Sequence, residues 1–345
     1  MSDGAHGATP ATAATTRHPS RRDRWPARAV SWIAYAAARG VGVATLPFSV
    51  WRAATLFQWI GAALATVVPT LHNRVAPNLA LIHPDWPEAQ KRALIRDTVG
   101  HFFRLMMEYL HLRRFIRDVR LEVEGMEHLL AAEAAGRGAL IVTAHYGNWE
   151  AIRVACLRAG LPSGIIYRPF NNRYVDAYTL SLIVDAGTPV MQKGPRGLRV
   201  MTRHLASGGR ALLLADQRTS HAPQIPFLGQ PAETLVVAPA LATRTGAVLL
   251  TARARRLDRE GRFHVKIEPP LDEGSPEAMM TEVNRRIGAW VEEEPAQWFW
   301  LHQRWRLSKP RKRRAGVGPR VRTPAPGMAG AEGVAAGDQP PAPPS

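Results

Sequence analysis

Beyond residue 125 the chain alternates short aliphatic and β-branched runs with stretches whose apolar positions return every three or four residues. Residues 139–143, 163–168, 211–215, 248–252 and 263–267 read as strands, and 189–192 as a short extended segment. Residues 149–158, 173–184, 198–206, 235–245 and 277–293 read as the intervening helices, with Gly160 and Ser207-Gly208-Gly209 as stops. An apolar loop at 226–230 leads into the helix that opens near Glu233. Such alternation predicts an α/β domain with a largely parallel central sheet flanked by helices. Upstream, Leu94, Ile95, Val99, Phe102, Phe103, Met106, Met107 and Leu110 recur at helical spacing, which predicts a packing helix over 90–112.

The amino-terminal third has a different pattern. Residues 30–38 are apolar, are interrupted by Arg39, and resume through 40–51. Residues 53–71 form a 19-residue uncharged stretch, close to the ~20 needed to span a bilayer. That stretch contains Gln58, Gly61 and Pro69 and is rich in Ala and Thr, which add little insertion energy. Trp32, Tyr35, Trp51 and Trp59 are the amphipathic rings that favour headgroup depth. A spanning helix, a helical hairpin in the interface and a buried core helix all fit. The organisation expected is a basic tail over 1–28, membrane-associated helices over 29–71, a catalytic domain over 72–307 and a second basic tail over 308–345. No secretory signal opens the chain.

Charge sharpens the choice of partner. Of 345 residues, 45 are Lys or Arg and 28 Asp or Glu, a formal net charge of +17 that calls for an anionic partner. Residues 1–28 hold Arg17, Arg21, Arg22, Arg24 and Arg28, and the second tail holds Lys309 and Arg311 to Arg314. Both tails are Ala-, Gly- and Pro-rich and lack apolar periodicity, so disorder is expected there. The segment between them still carries +9. No helix-turn-helix, zinc-finger or aromatic ribonucleoprotein pattern accompanies the basic runs, so no nucleic acid is expected. Cys156 is the single cysteine, which excludes a disulfide framework and multi-cysteine metal sites.

The chemistry concentrates where a strand ends. His145 follows the 139–143 run, Gly147 allows a sharp turn, and Asn148 is placed to cap the helix whose first turn holds Glu150. Across that strand–loop–helix junction, Glu150 can fold back to the imidazole Nδ1, fixing the tautomer and raising the basicity of Nε2. This is a base with its orienting carboxylate and no protein nucleophile. Cys156, two turns along, reads as core. No nucleophile elbow, phosphate loop, dinucleotide fingerprint or zinc motif occurs, so no metal and no cofactor is expected. Arg168 and Arg218 flank predicted strand ends and can hold a phosphate or a developing oxyanion, with Asp216 beside them. The aromatic run 295–306 reads as a core-closing segment.

Taken in order, these residues resemble the late (secondary) lipid A acyltransferases, the lauroyl and myristoyl transferases of the lysophospholipid acyltransferase superfamily. The resemblance covers roughly 30–306. It rests on Asn78-Leu79 ahead of His83-Pro84, on His145 and Glu150 as an H-x4-E motif, and on Tyr167-Arg168-Pro169. It continues through Asp216-Gln217, Pro226-Phe227-Leu228-Gly229, and the closing Pro295, Gln297, Trp298, Trp300, Leu301, His302, Arg304 and Trp305. Glycerophosphate-type relatives usually carry Asp where Glu150 stands. The resemblance implies a glycerol-3-phosphate acyltransferase-like fold and O-acyl transfer without an acyl-enzyme. It also implies an acyl carrier protein thioester as donor and a phosphorylated, acylated glucosamine lipid as acceptor, at the cytoplasmic face of the inner membrane. His145 and Glu150 would be catalytic; Gly147, Asn148, Arg168, Asp216 and Arg218 would serve substrate. A lysophospholipid, aminolipid or other glycolipid as acceptor, and a non-catalytic binding protein acting through its basic tail, are the rival readings.

Overall fold

A computed structural model describes residues 25–305. The two expected tails therefore lie outside the described residues, except that 25–28 form the first turn of a helix. The elements run α1 (Trp25–Ala44), α2 (Val50–Val67), α3 (Pro69–Ile82), α4 (Glu88–Leu110), α5 (Leu112–Asp118), β1 (Arg120–Glu124), α6 (Met126–Ala134), β2 (Ala139–Thr143), α7 (Glu150–Arg158), β3 (Ser163–Tyr167) and α8 (Arg173–Ile183). They continue as β4 (Val190–Gln192), α9 (Pro195–Ala206), β5 (Arg210–Leu214), β6 (Gln224–Phe227), β7 (Gln230–Glu233), α10 (Val237–Thr245), β8 (Val248–Arg256), β9 (Arg262–Ile267) and α11 (Pro276–Glu293).

Seven strands form one sheet in the order β1-β9-β8-β2-β5-β3-β4. Every neighbouring pair is parallel except β8 with β9. The central strand β2 is buried at all five positions, as a parallel strand covered on both faces must be. Its Leu140 and Val142 enter a core built with α9, α10 and α11, while Ile141 packs on the opposite face with α7 and α8. The sheet is thus sandwiched between two helical layers, the α/β architecture expected.

Two segments differ from the expectation. The loop expected at 226–230 is the turn of a separate two-stranded hairpin, β6–β7, with Phe227 opposite Gln230. Leu228 and Gly229 both adopt positive φ (48° and 73°), the backbone of a tight hairpin turn. Glu233 ends β7, and the helix begins only at Val237. The strand β1, upstream of Gly125, was not anticipated; its burial pattern is mostly exposed, so it carries little apolar signature.

The 53–71 stretch is not one helix. α2 stops at Val67, Pro69 starts α3, and the two axes meet at 85°. Among the described residues no single helix is long and apolar enough to cross a membrane; this bent pair passes only when taken together. One face of α2 packs tightly on α4. A Cβ on Gly61 would fall 2.7 Å from the Phe103 ring, and one on Gly100 would fall 2.8 Å from the Gln58 carbonyl oxygen. Ala53 and Ala54 bury against Met107. The other face keeps Leu56, Trp59 and Ile60 exposed.

Candidate active site

His145 and Asp216 owe their meeting to strand register. β2 and β5 are parallel neighbours, with Ala139 paired to Arg210 and Thr143 to Leu214. Continuing that register two residues past the strand ends sets His145 beside Asp216, beyond the carboxyl edge where α/β sheets gather their reactive groups. His145 Nδ1 lies 2.7 Å from Asp216 Oδ1, and the His145 backbone N–H donates to Oδ2 at 2.9 Å. The Trp298 indole N–H donates to Oδ2 as well, at 2.9 Å. Asp216 is fully buried. Burial alone would raise its carboxyl group, but the facing His145 and the hydrogen bonds it donates hold it well below the usual range. A carboxylate that only accepts requires the proton on Nδ1, which leaves the Nε2 lone pair pointing at the cavity.

The closing aromatic segment completes the site. Its backbone bridges Tyr146 to Trp298, and the Phe299 N–H donates to the His145 carbonyl oxygen at 2.9 Å. That bridge delivers His302, whose ring centroid is 4.8 Å from His145. The Gln217 amide nitrogen lies 3.3 Å from His145 Nε2 and 3.0 Å from His302 Nε2. Burial, then the neighbouring His145, pushes His302 down to about 3, so it is neutral at physiological pH.

From this cluster a cavity of about 650 Å³ runs past Trp149, Ile165 and Ile183 to Tyr35 and Arg39 of α1. Its volume falls within the ~300–1,000 Å³ usual for ligand sites, and its walls are mostly apolar. Among the described residues no group of His, Cys, Asp and Glu is arranged to hold a metal ion. Cys156 is buried, and burial raises its thiol to about 12, so it supplies no thiolate nucleophile.

A sequence model of the family described as "Bacterial lipid A biosynthesis acyltransferase" matches residues 17–307. The chain belongs to that family. A Haemophilus influenzae protein named lipid A biosynthesis acyltransferase is 23% identical over 245 residues, 69% of this chain and 76% of the relative. The Mycobacterium tuberculosis phosphatidylinositol mannoside acyltransferase is 26% identical over 229 residues, 64% and 71% of the two chains. The Escherichia coli K12 lipid A biosynthesis lauroyltransferase is 25% identical over 245 residues, 66% and 77%. The protein is an acyltransferase, as the ordered motifs implied.

In this acyltransferase the motif glutamate does not meet the motif histidine. Glu150 opens α7, and its Oε2 accepts from Arg153 Nη1 at 2.7 Å, an i,i+3 pair with both side chains fully buried. Its Oε1 accepts the Tyr109 hydroxyl at 2.9 Å, and burial followed by the Glu150 charge raises the Tyr109 phenol well above its ordinary value. Arg153 in turn donates to the carbonyl oxygens of Ile183 and Gly187. Glu150 thus pins α7 to the end of α8 and lines the cavity wall, while Asp216 takes the place at Nδ1 expected of Glu150.

The other expected substrate-binding residues divide. Arg168 is exposed on the cavity wall. Arg218 instead pairs with Glu233 at 2.8 Å, holding the β6–β7 hairpin, and does not line the cavity. Asn148 stands one residue ahead of the N-cap, which is Trp149; its Oδ1 accepts the Glu150 N–H at 3.1 Å, but it is buried and its Nδ2 donates to Glu108. Gly147 has φ 56° with a position 1.8 Å from the Ala254 carbonyl oxygen where any Cβ would lie, so only glycine fits. Its N–H is spent on the Gln297 carbonyl oxygen and its own carbonyl accepts from His101. The Tyr146 N–H bonds to the Ala144 oxygen. The backbone amides of residues 145–147 are therefore all committed to acceptors within the protein. Gln217 and His302 were not singled out as site residues; Asp216-Gln217 and the aromatic run were visible as motifs, but only the fold aims them at one point.

Proposed function

We propose that this enzyme transfers a fatty acyl chain from an acyl carrier protein thioester to a hydroxyl group of a phosphorylated glucosamine lipid, a lipid A precursor. The observation that carries the reading is a histidine–carboxylate pair opening on a long apolar cavity, in a family named for that pathway. His145 Nε2 removes the proton of the acceptor hydroxyl. The oxygen attacks the thioester carbonyl and a C–O bond forms. The tetrahedral intermediate collapses with loss of the C–S bond, and the thiolate takes the proton back from Nε2. Asp216 holds the tautomer and stabilises the imidazolium, a general-base contribution of about 10²–10⁴-fold. Because the amides of 145–147 are committed, the Gln217 amide is the donor for the oxyanion. Glu150 acts at one remove, by holding α7 and the cavity wall. The apolar cavity takes the chain, at about 0.8 kcal/mol per buried methylene.

The enzyme works at the cytoplasmic face of the inner membrane, attached in the interface rather than across it. α1 turns Tyr35 and Arg39 to the cavity and leaves Val30, Ile33 and Val41 exposed on another side. Exposed Leu56, Trp59 and Ile60 of α2 add to that apolar surface. An amphipathic helix of this kind lies in the headgroup plane, and the cavity it walls then opens to lipid.

A second acceptor is supported by the mycobacterial relatives named for a phosphatidylinositol mannoside. Mass spectrometry of lipids from a deletion strain separates the two. Loss of one secondary acyl chain from lipid A is expected; an unchanged lipid A with a deacylated glycolipid would transfer the proposal to the second acceptor.

A further inference from the structure

Between Asp185 and Asp216 the chain contains no acidic residue but holds Lys193, Arg196, Arg199, Arg203 and Arg210. Arg210 pairs with Glu133. Lys193, Arg196, Arg199 and Arg203 make no ion pair with any described residue, and all four are exposed. α9 buries Gly197, Met201 and Leu205, at four-residue steps, against the sheet. At ~100° per residue, Arg196, Arg199 and Arg203 fall within about 60° of one another on the side opposite that buried face. They form a stripe about 10 Å long, at 1.5 Å rise per residue. Arg244 of α10 extends it, its guanidinium donating to Thr202 Oγ1 at 2.9 Å.

This arrangement works against the helix that carries it. Like charges at i,i+3 and i,i+4 repel, and Arg196 in the first helical turn opposes the macrodipole, although Arg203 in the last turn suits it. An unneutralised stripe kept on those terms is explained by an external anion. Lys193 links the stripe to the chemistry, because it lies just ahead of α9 and also lines the cavity. α9 covers the face of the sheet opposite α8, against which α1 packs, so the stripe is separate from the apolar surface of α1. The exposed side of α9 carries no large apolar residue with which to enter a bilayer.

We infer that the α9 stripe, with Lys193, is the docking surface for an acidic helix of the carrier protein that delivers the acyl thioester. The inference rests on the carrier-thioester reading above. The carrier's acidic side chains meet Arg196, Arg199 and Arg203, and its thioester arm passes Lys193 into the cavity toward His145.

The test compares two donors bearing the same acyl chain, the purified carrier protein thioester and free acyl-pantetheine, with full-length wild type and the triple variant R196E/R199E/R203E. KM for the carrier-bound donor is expected to rise about 10–100-fold, and its dependence on salt to weaken. Kinetics with acyl-pantetheine are expected to stay within about twofold, which also reports that the variant is folded. An equal effect on both donors, or none on the carrier-bound one, overturns the docking surface while leaving the donor reading intact. Loss of binding to anionic vesicles with unchanged donor kinetics assigns the stripe to lipid and overturns it too. A wild-type enzyme that uses acyl-pantetheine as readily as the carrier thioester defeats the carrier reading itself, and the docking surface with it.

Discussion

Asp216→Asn separates the two carboxylates that compete for the role beside His145. The side chain keeps its shape but one oxygen becomes an NH2 group. Oδ2 accepts two N–H donors, from the His145 backbone and the Trp298 indole, so the remaining oxygen of the amide stays there and the NH2 faces Nδ1. Nδ1 must then accept, and the imidazole proton moves to Nε2, where the base is blocked. A misplaced tautomer in a His–carboxylate pair costs about 10⁴-fold, or about 5 kcal/mol of barrier. Transfer of radiolabelled acyl chain from the proposed carrier thioester to the proposed glycolipid acceptor measures it, with kcat expected to fall by that factor and KM to change little. Glu150→Gln is the companion. It leaves Arg153 buried without its counter-charge, costing about 3–5 kcal/mol of stability. Thermal unfolding reads that loss, while the residual folded enzyme keeps the wild-type shape of its pH–rate profile. If Asp216→Asn stayed within tenfold of wild type while folded Glu150→Gln lost turnover, the assignment made from register would be refuted.

Further expectations concern acid stability, the thiol and the membrane. Burial, followed by Arg256, depresses His101 to about 4 from an ordinary 6.5. The unfolded chain takes up this proton first as pH falls, so stability is present above pH ~6.5 and drains between there and ~4, by on the order of 3 kcal/mol. Denaturant unfolding across that range should show the loss, and His101→Gln should flatten that part of it. Cys156, buried with its thiol raised to about 12, should resist thiol reagents in the folded protein, and Cys156→Ser should retain activity within about threefold. Ile33→Glu on the exposed side of α1 should weaken sedimentation with anionic vesicles by about tenfold or more, the loss of ~1.5–3 kcal/mol of apolar burial, while activity on detergent-solubilised substrate persists.

The parts legible along the chain were those governed by local period. The 139–143 strand matches β2 residue for residue, because a strand buried on both faces is a continuous apolar run bounded by polar loops. The helix expected over 90–112 appears as Glu88–Leu110 for the matching reason at a period of 3.6. Less legible were elements whose pattern is thin. β1 faces solvent at most positions, and β6 and β7 are four residues each with Pro226 and Pro231 inside. In 53–71 the hydropathy was uniform, yet the chain breaks at Pro69, whose ring prevents α2 from continuing. Gly61 and the alanines that made the stretch look like a weak span are the small residues that let α2 approach α4.

The residue types of the chemistry were therefore present in one dimension: a histidine ending a strand, a glycine able to turn, an asparagine just ahead of a helix, and two acids of which only Glu150 lies within local reach. Spacing favoured Glu150, five positions away; tertiary structure chose Asp216, seventy-one positions away. The reason is that β2 and β5 are hydrogen-bonded in parallel with their ends level, so equivalent positions on the two strands become neighbours, while Glu150 is captured by Arg153 within its own helix. Local pattern dictates which segments are strands and helices; only the pairing of distant strands dictates which side chains share a proton.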